Sequence, residues 1–152
     1  MASSSSSRPG PPSVRTAARA VIIRGQDLLV VRVRTEEGEF LVLPGGGQEH
    51  GETLTDAVQR EVFEESGVRV IAPEYLGSQS WPFPYSLMVG FTARVDPAHT
   101  GVPLNPDGVE IEKLRWFSRE EIAADSANLL LPGKLSIAGA LIEHWYGGPI
   151  GS

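Results

Sequence analysis

The order of apolar runs along the chain predicts an α/β fold, a sandwich built on a mixed β-sheet. Three observations carry that reading: β-branched runs open the folded part, a strongly capped amphipathic helix interrupts them at Thr53, and further strands precede a last helical stretch. With 152 residues, 41% of them hydrophobic and 21% charged, the sequence suits one globular domain and leaves no room for a second. Residues 1–15 are Ser, Pro and Gly with almost nothing to bury, so a disordered tail is expected there and a single domain over 16–148.

Residues 16–23 and 28–33 are β-branched runs separated by Arg24, Gly25, Gln26 and Asp27, which reads as a hairpin. Residues 40–43 form a short third strand stopped by Pro44, and Gly45, Gly46 and Gly47 then make a loop whose backbone can approach a ligand closely. The clearest helix follows, with Thr53 as N-cap, Asp56 at the third position in a capping-box variant, and Gly67 as a left-handed C-cap. Further strands are expected at 68–76, 86–95 and 114–117, with helices at 119–124 and 134–146.

The sequence has no cysteine, which excludes a disulfide framework, a thiol nucleophile and a Cys-type zinc site together. His50, His99 and His144 are scattered without paired spacing and read as ordinary surface or loop residues. A net charge of −6 argues against an extended nucleic-acid surface, which needs a basic stripe, but leaves room for a small anion bridged by a cation. No apolar run has the length of a signal peptide or a membrane span, so a cytoplasmic location is expected.

The chemistry concentrates on the helix after Thr53. At 100° per residue, Leu54, Ala57, Val58, Glu61, Val62 and Glu65 share one arc that should face the protein body, and Glu64 flanks it. Glu61, Glu64 and Glu65 thus cluster at i, i+3 and i+4, where each like-charge pair costs a helix roughly 0.2–0.5 kcal/mol. An acidic run of this kind is ordinarily a solvated, salt-bridged face, but the inward phase of Glu61 and Glu65 points the other way. Arg60 can neutralise part of the charge, yet one guanidinium does not balance three helix glutamates and Glu52 upstream. Hard oxygen ligands suit Mg²⁺ or Mn²⁺, and with them phosphoryl or diphosphate hydrolysis.

Gly46, five residues, Glu52, seven residues, then Arg60, Glu61, Val62, Phe63, Glu64, Glu65, Ser66, Gly67 and Val68 reproduce the Nudix box at every position. A chance match at average composition arises about once in 10⁹ starts, so the chain is identified as resembling the Nudix hydrolases, with their α/β/α sandwich and mixed sheet. The resemblance implies that Glu61, Glu64 and Glu65 are metal ligands, that Glu52 supports them, and that Arg60 orients the glutamates through a salt bridge. It places Gly46 at both the metal and the substrate, with the loop glycines letting backbone groups reach phosphate.

Downstream, residues 78–86 read SQSWPFPYS, which resembles the SQPWPFPxS array of the NADH pyrophosphatases with Ser80 in place of proline. EIEKLRWFSREEI from Glu110 and LSIAGALIEHW from Leu135 are similar to the same subfamily, so the likeness covers about residues 45–145. It implies hydrolysis of NADH or NAD to AMP and nicotinamide mononucleotide. Trp81, Phe83 and Tyr85 offer flat faces on which a base or nicotinamide ring could stack, or simply cap the sheet as a hydrophobic loop. Ser86 and Met88 match positions beside the nicotinamide. Glu110 is the candidate for a further carboxylate, as metal ligand, general base or a mere exposed acid, with Glu112 as fallback.

Two departures open other readings. The subfamily commonly carries a zinc ribbon, for which this sequence has no cysteines, and it has Phe where Gly47 stands, a loop more like enzymes of ADP-ribose or broader specificity. An ADP-ribose or general nucleoside-diphosphate hydrolase is therefore the alternative, and a nucleotide-binding regulator without turnover the second. A homodimer is implied by the resemblance alone.

Overall fold

The computed structural model describes residues 15–81, 86–99, 104, 113–125, 129–133 and 136–150. The hairpin forms as the turn residues dictate: β1 (Arg15–Arg24) and β2 (Asp27–Thr35) are joined through Gly25 and Gln26, with Arg24 opposite Asp27 and Gly25 at φ 64°. β3 (Gly38–Val42) returns antiparallel along β2.

The glycine triplet corrects the expectation of a loop. Gly45–Gly47 form a short strand, β4, antiparallel to β1, with Ala17, Ala18 and Arg19 opposite Gly47, Gly46 and Gly45. The reason lies in β1, which pairs with β2 only at Ile23 and Arg24 and so leaves the edge of its first half free for another partner. Gly45 is required there, since its φ of 148° is disfavoured for L side chains and a Cβ would run into the Ala18 carbonyl.

Helix α1 (Leu54–Ser66) starts and stops where the sequence indicates, with Thr53 accepting from the Asp56 N–H at 3.0 Å and Gly67, at φ 75°, donating to the Phe63 carbonyl at 2.7 Å. β5 (Val70–Trp81) runs five residues beyond the expected end at 76, because its ladder with β6 (Ser86–Val95) continues through the polar Ser78, Gln79 and Ser80, which no hydrophobic alternation reveals, to Trp81. A bulge at Ala72, φ 51°, shifts its register. A 3₁₀ turn, Pro97–His99, leaves β6; β7 (Lys113–Phe117) pairs with β2, and α2 (Arg119–Asp125) follows. The two-residue β8 (Leu129–Leu130), parallel to β3, was not anticipated. α3 (Ile137–Tyr146) begins three residues later than the expected 134, since Ser136 takes the N-cap; residues 134–135 lie outside the described residues.

The sheet runs β5-β6-β1-β2-β3-β8, with β4 beside β1 and β7 beside β2; β1 is parallel to β6 and the sheet is mixed, as expected. On one face, Val58 and Val62 of α1 pack with Ala18, Ala20, Ile22, Val89 and Phe91. On the other, Leu141, Ile142 and Trp145 of α3 and Ile122 of α2 pack with Val21, Leu28, Val30 and Leu41. The result is an α/β/α sandwich. Ile150 is buried in the second cluster, and no described helix is long and apolar enough to cross a membrane.

Candidate active site

The site forms where β4 meets α1. Ala57, Val58, Val62 and Ser66 are the fully buried residues of α1, and their phase turns Glu61 toward β4. The Glu61 carboxylate lies against Gly46, where any Cβ would collide with it. Glu65 turns the same way, its carboxylate accepting from the Gly45 N–H at 3.3 Å. β4 is therefore the seat of the acids as well as a main-chain surface, which explains why two adjacent glycines are needed.

Arg60 organises the rest. Its Nε and Nη2 grip both oxygens of Glu52 at 2.7 and 3.0 Å, and Nη2 also donates to the Gly47 carbonyl at 2.9 Å. Nη1 donates to Glu61 Oε1 at 3.0 Å and to Glu64 Oε2 at 3.1 Å, with Glu49 at 3.6 Å. The bidentate pair is shielded, Glu52 at 13% and Arg60 at 21% exposed, whereas Glu64 at 59% reaches solvent. Hydrogen bonds from Arg60 hold the Glu52 carboxyl below its ordinary range, and Glu52 in turn raises Arg60 further above its own. Glu52 also accepts from the Glu49 N–H at 3.0 Å, closing the segment between β4 and α1 on itself.

The cluster that the sequence singled out is thus assembled, with one difference in emphasis. Arg60 is the common counter-charge of Glu52, Glu61 and Glu64, a larger share than a lone guanidinium was expected to take. With its guanidinium between the acids, no three acidic or histidine side chains among the described residues converge tightly enough to enclose an ion as they stand. The donor set itself, all carboxylate and main-chain oxygen, fits a hard divalent cation.

Other candidates lie at varied distances from this cluster. Ser86 and Met88 sit on β6 opposite Arg15 and Ala17, one strand from β4. Strand alternation puts them on the face opposite Val89, toward α3 and away from α1, so the sheet separates them from the glutamates. Trp81 ends β5 opposite Ser86. Phe83, Tyr85, Glu110 and Glu112 lie outside the described residues. Sequence reasoning missed Arg19, whose Nη1 donates to the Leu43 and Gly45 carbonyls at 3.3 and 3.1 Å and pins the turn into β4. It also missed Gln79, whose Oε1 accepts the Ile137 N–H at 2.9 Å and ties the start of α3 to β5. Neither has a local signal, since both partners are distant in sequence.

Comparison with known proteins identifies the family. A model of the NUDIX domain matches residues 14–134. Among curated proteins, the chain is 39% identical over 133 residues to the NAD-capped RNA hydrolase NudC of Stutzerimonas stutzeri, covering 87% of this chain and 44% of that protein. It is 37% identical over 145 residues to the NudC of Mycobacterium tuberculosis, covering 88% and 45%. The chain therefore spans less than half the length of these relatives. Among solved structures, a NUDIX hydrolase from Nitrosomonas europaea superposes with a TM-score of 0.67 at 21% identity, over 91% of this chain and 76% of that one. An ADP-ribose pyrophosphatase from Streptococcus suis does so with a TM-score of 0.63 at 23% identity, over 89% and 92%. With its box complete, its glutamates gathered on one capped helix and its family model matched over most of its length, the chain belongs to the Nudix hydrolase family.

Proposed function

We propose that the chain hydrolyses the diphosphate bond of NADH or NAD to give AMP and nicotinamide mononucleotide, with Mg²⁺ or Mn²⁺ held by Glu61, Glu64 and Glu65. The observation that carries this is the set of carboxylates drawn round Arg60 beside the β4 backbone. The SQSWPFPYS array and the names of the NudC relatives support the nicotinamide dinucleotide as substrate.

A divalent ion bound there supplies charge neutralisation on the diphosphate and a lower pKa for the attacking water. The chain's own part is positioning. Arg60 holds Glu52 and Glu61 in fixed directions, Gly45 orients Glu65 through its N–H, and the bare main chain at Gly46 lets the Glu61 carboxylate lie against it where a side chain would collide. Glu64, the most exposed of the three helix acids, is the one open to solvent and so to a ligand arriving from it.

One observation favours the second reading, an ADP-ribose hydrolase. A Cβ on Gly47 would meet nothing closer than the Arg15 guanidinium, at 3.9 Å, so the position where the NADH pyrophosphatases carry a ring is open. The two separate on products. NADH, NAD, ADP-ribose and an NAD-capped RNA, each supplied at saturating Mg²⁺ or Mn²⁺, are resolved chromatographically. Reduced nicotinamide mononucleotide from NADH and the oxidised form from NAD, each with AMP, are the expected result, with release from the capped RNA extending it. AMP and ribose 5-phosphate from ADP-ribose, with NADH intact, replaces it by the second reading. Binding of all four without cleavage identifies a non-catalytic regulator.

A further inference from the structure

At the opposite end of β1 from the acidic helix lies an open cleft of about 610 Å³ with Arg24, Arg94 and Arg119 in its lining, beside Gly25 and Gln26 of the hairpin turn. Among the described residues, no carboxylate lines it. Strand alternation puts Arg94, and its ring partner puts Arg119, on the α3 face of the sheet, while Arg24, over Trp116, flanks the cleft from the α1 face. The parallel pairing of β1 with β6 sets Ile23 opposite Arg94, next to Arg24 on the neighbouring strand. Arg119 opens α2 and donates to the Trp145 carbonyl at 3.0 and 2.7 Å and to the Gln26 carbonyl at 3.5 Å.

Two of these guanidiniums are fixed without being neutralised. Arg24 lies 4.3 Å over the Trp116 ring and Arg119 4.9 Å over the Trp145 ring, contacts that orient a cation but leave its charge. Among the described residues, none of the three arginines has a carboxylate within ion-pairing distance. Of the acids nearby in sequence, Glu121 is engaged with Arg115 and Ser118 and Asp96 with the Ala98 N–H at 3.0 Å, while Asp27 stands opposite Arg24 in the hairpin without an ion pair to it. Arg94 is exposed. In a chain of net charge −6, Arg94 and Arg119, with Arg24 at the rim, give this cleft a local excess of positive charge in a concave setting.

We propose that the cleft is a second ligand site, for a small phosphate-bearing anion of diphosphate or nucleoside-diphosphate size. Planar, permanently charged guanidiniums match phosphate oxygens in pairs, and the volume falls in the range of small-molecule pockets. At about 3.3 Å per residue, the six residues of β1 from Ala18, opposite Gly46, to Arg24 put the site roughly 20 Å from the glutamates. It is therefore separate from the hydrolytic centre and does not depend on what that centre cleaves.

The test is calorimetric titration of inorganic diphosphate, and separately of ADP, into the full chain in EDTA. Removing divalent ions leaves the glutamates to repel both probes. Saturable binding is expected, weakening with salt. Arg94→Ala should reduce affinity roughly tenfold, the scale of a hydrogen bond to a charged group, and Arg94→Glu should abolish it, both without loss of metal-dependent hydrolysis. Arg24→Ala serves as a second probe from the neighbouring strand. No saturable binding at millimolar diphosphate or ADP overturns the proposal, as does binding indifferent to Arg94 and Arg24 alike. Loss of binding in Glu64→Gln would place the anion at the acidic helix instead, and tighter binding of an RNA oligonucleotide than of either probe would make the cleft a nucleic-acid contact.

Discussion

Helices α1 and α3 lie on opposite faces of one sheet and are finished alike, yet their middles are put to different use. Thr53 and Ser136 each accept from the third residue of their helix at 3.0 Å, and Gly67 and Gly147 each close the far end in the left-handed region. Between those caps, α3 turns Leu141, Ile142 and Trp145 into the core. α1 buries only Ala57, Val58, Val62 and Ser66, and spends the rest of its inward arc on Glu61 and Glu65. Capping and phase decide where a helix sits; what fills the buried face decides whether it supplies stability or chemistry. α1 is held by small side chains plus a charged network to β4, and α3 by apolar area.

That difference is broken most strongly at Trp145. Trp145→Ala removes a ring only 3% exposed, and also the aromatic face beneath Arg119. Denaturant unfolding should show a loss of about 3–5 kcal/mol, a large part of a typical domain's stability. Should the loss be under about 1 kcal/mol, α3 is not the apolar anchor described above.

The mirror-image change on α1 leaves the fold and removes the chemistry. Glu64→Gln and Glu65→Gln should each lower kcat at least about 100-fold, within the several kcal/mol that metal-assisted charge stabilisation supplies, with unfolding midpoints close to the parent. Near-normal turnover in both would remove these residues from the metal site.

How legible the two helices were in the sequence follows from the same distinction. The caps of α1 and its acid cluster could be read because each depends on spacings of three or four residues within one element. The face of α3 was equally local. What escaped reading was contributed by partners far apart in the chain: β4, which exists because β2 leaves half of β1 unpaired; the polar end of β5, held by its ladder; and Arg19 and Gln79, which reach main-chain groups 24 and 58 residues away. The balance of charge round Arg60 was only half legible, since composition shows how many acids surround one arginine but not that Glu52 folds back to take both prongs of its fork.

The charged anchor of α1, unlike the apolar one of α3, should depend on pH. Glu52 has its pKa lowered chiefly by Arg60, so the stability it contributes is complete above its unfolded value near 4.5 and disappears as pH falls through the lower folded value. Melting temperatures of the parent and of Glu52→Gln should differ most at neutral pH and converge in acid. A constant difference from pH 7 down to pH 3 would mean that Glu52 acts by packing alone.

The smallest effect sharpens the comparison where the helices are the same. Thr53→Ala and Ser136→Ala each remove one side-chain acceptor from an otherwise unsatisfied N–H, and each should cost about 1 kcal/mol. Their consequences for turnover should nevertheless diverge. The segment just before Thr53 carries Glu52, which fixes Arg60 and through it Glu61, so fraying at that end loosens the acids, while fraying of α3 begins beside Gln79 and leaves them in place. A fall in kcat with Thr53→Ala but not with Ser136→Ala, at matched losses of stability, would show that the cap of α1 positions the glutamates as well as starting the helix; equal kcat values would confine both caps to folding.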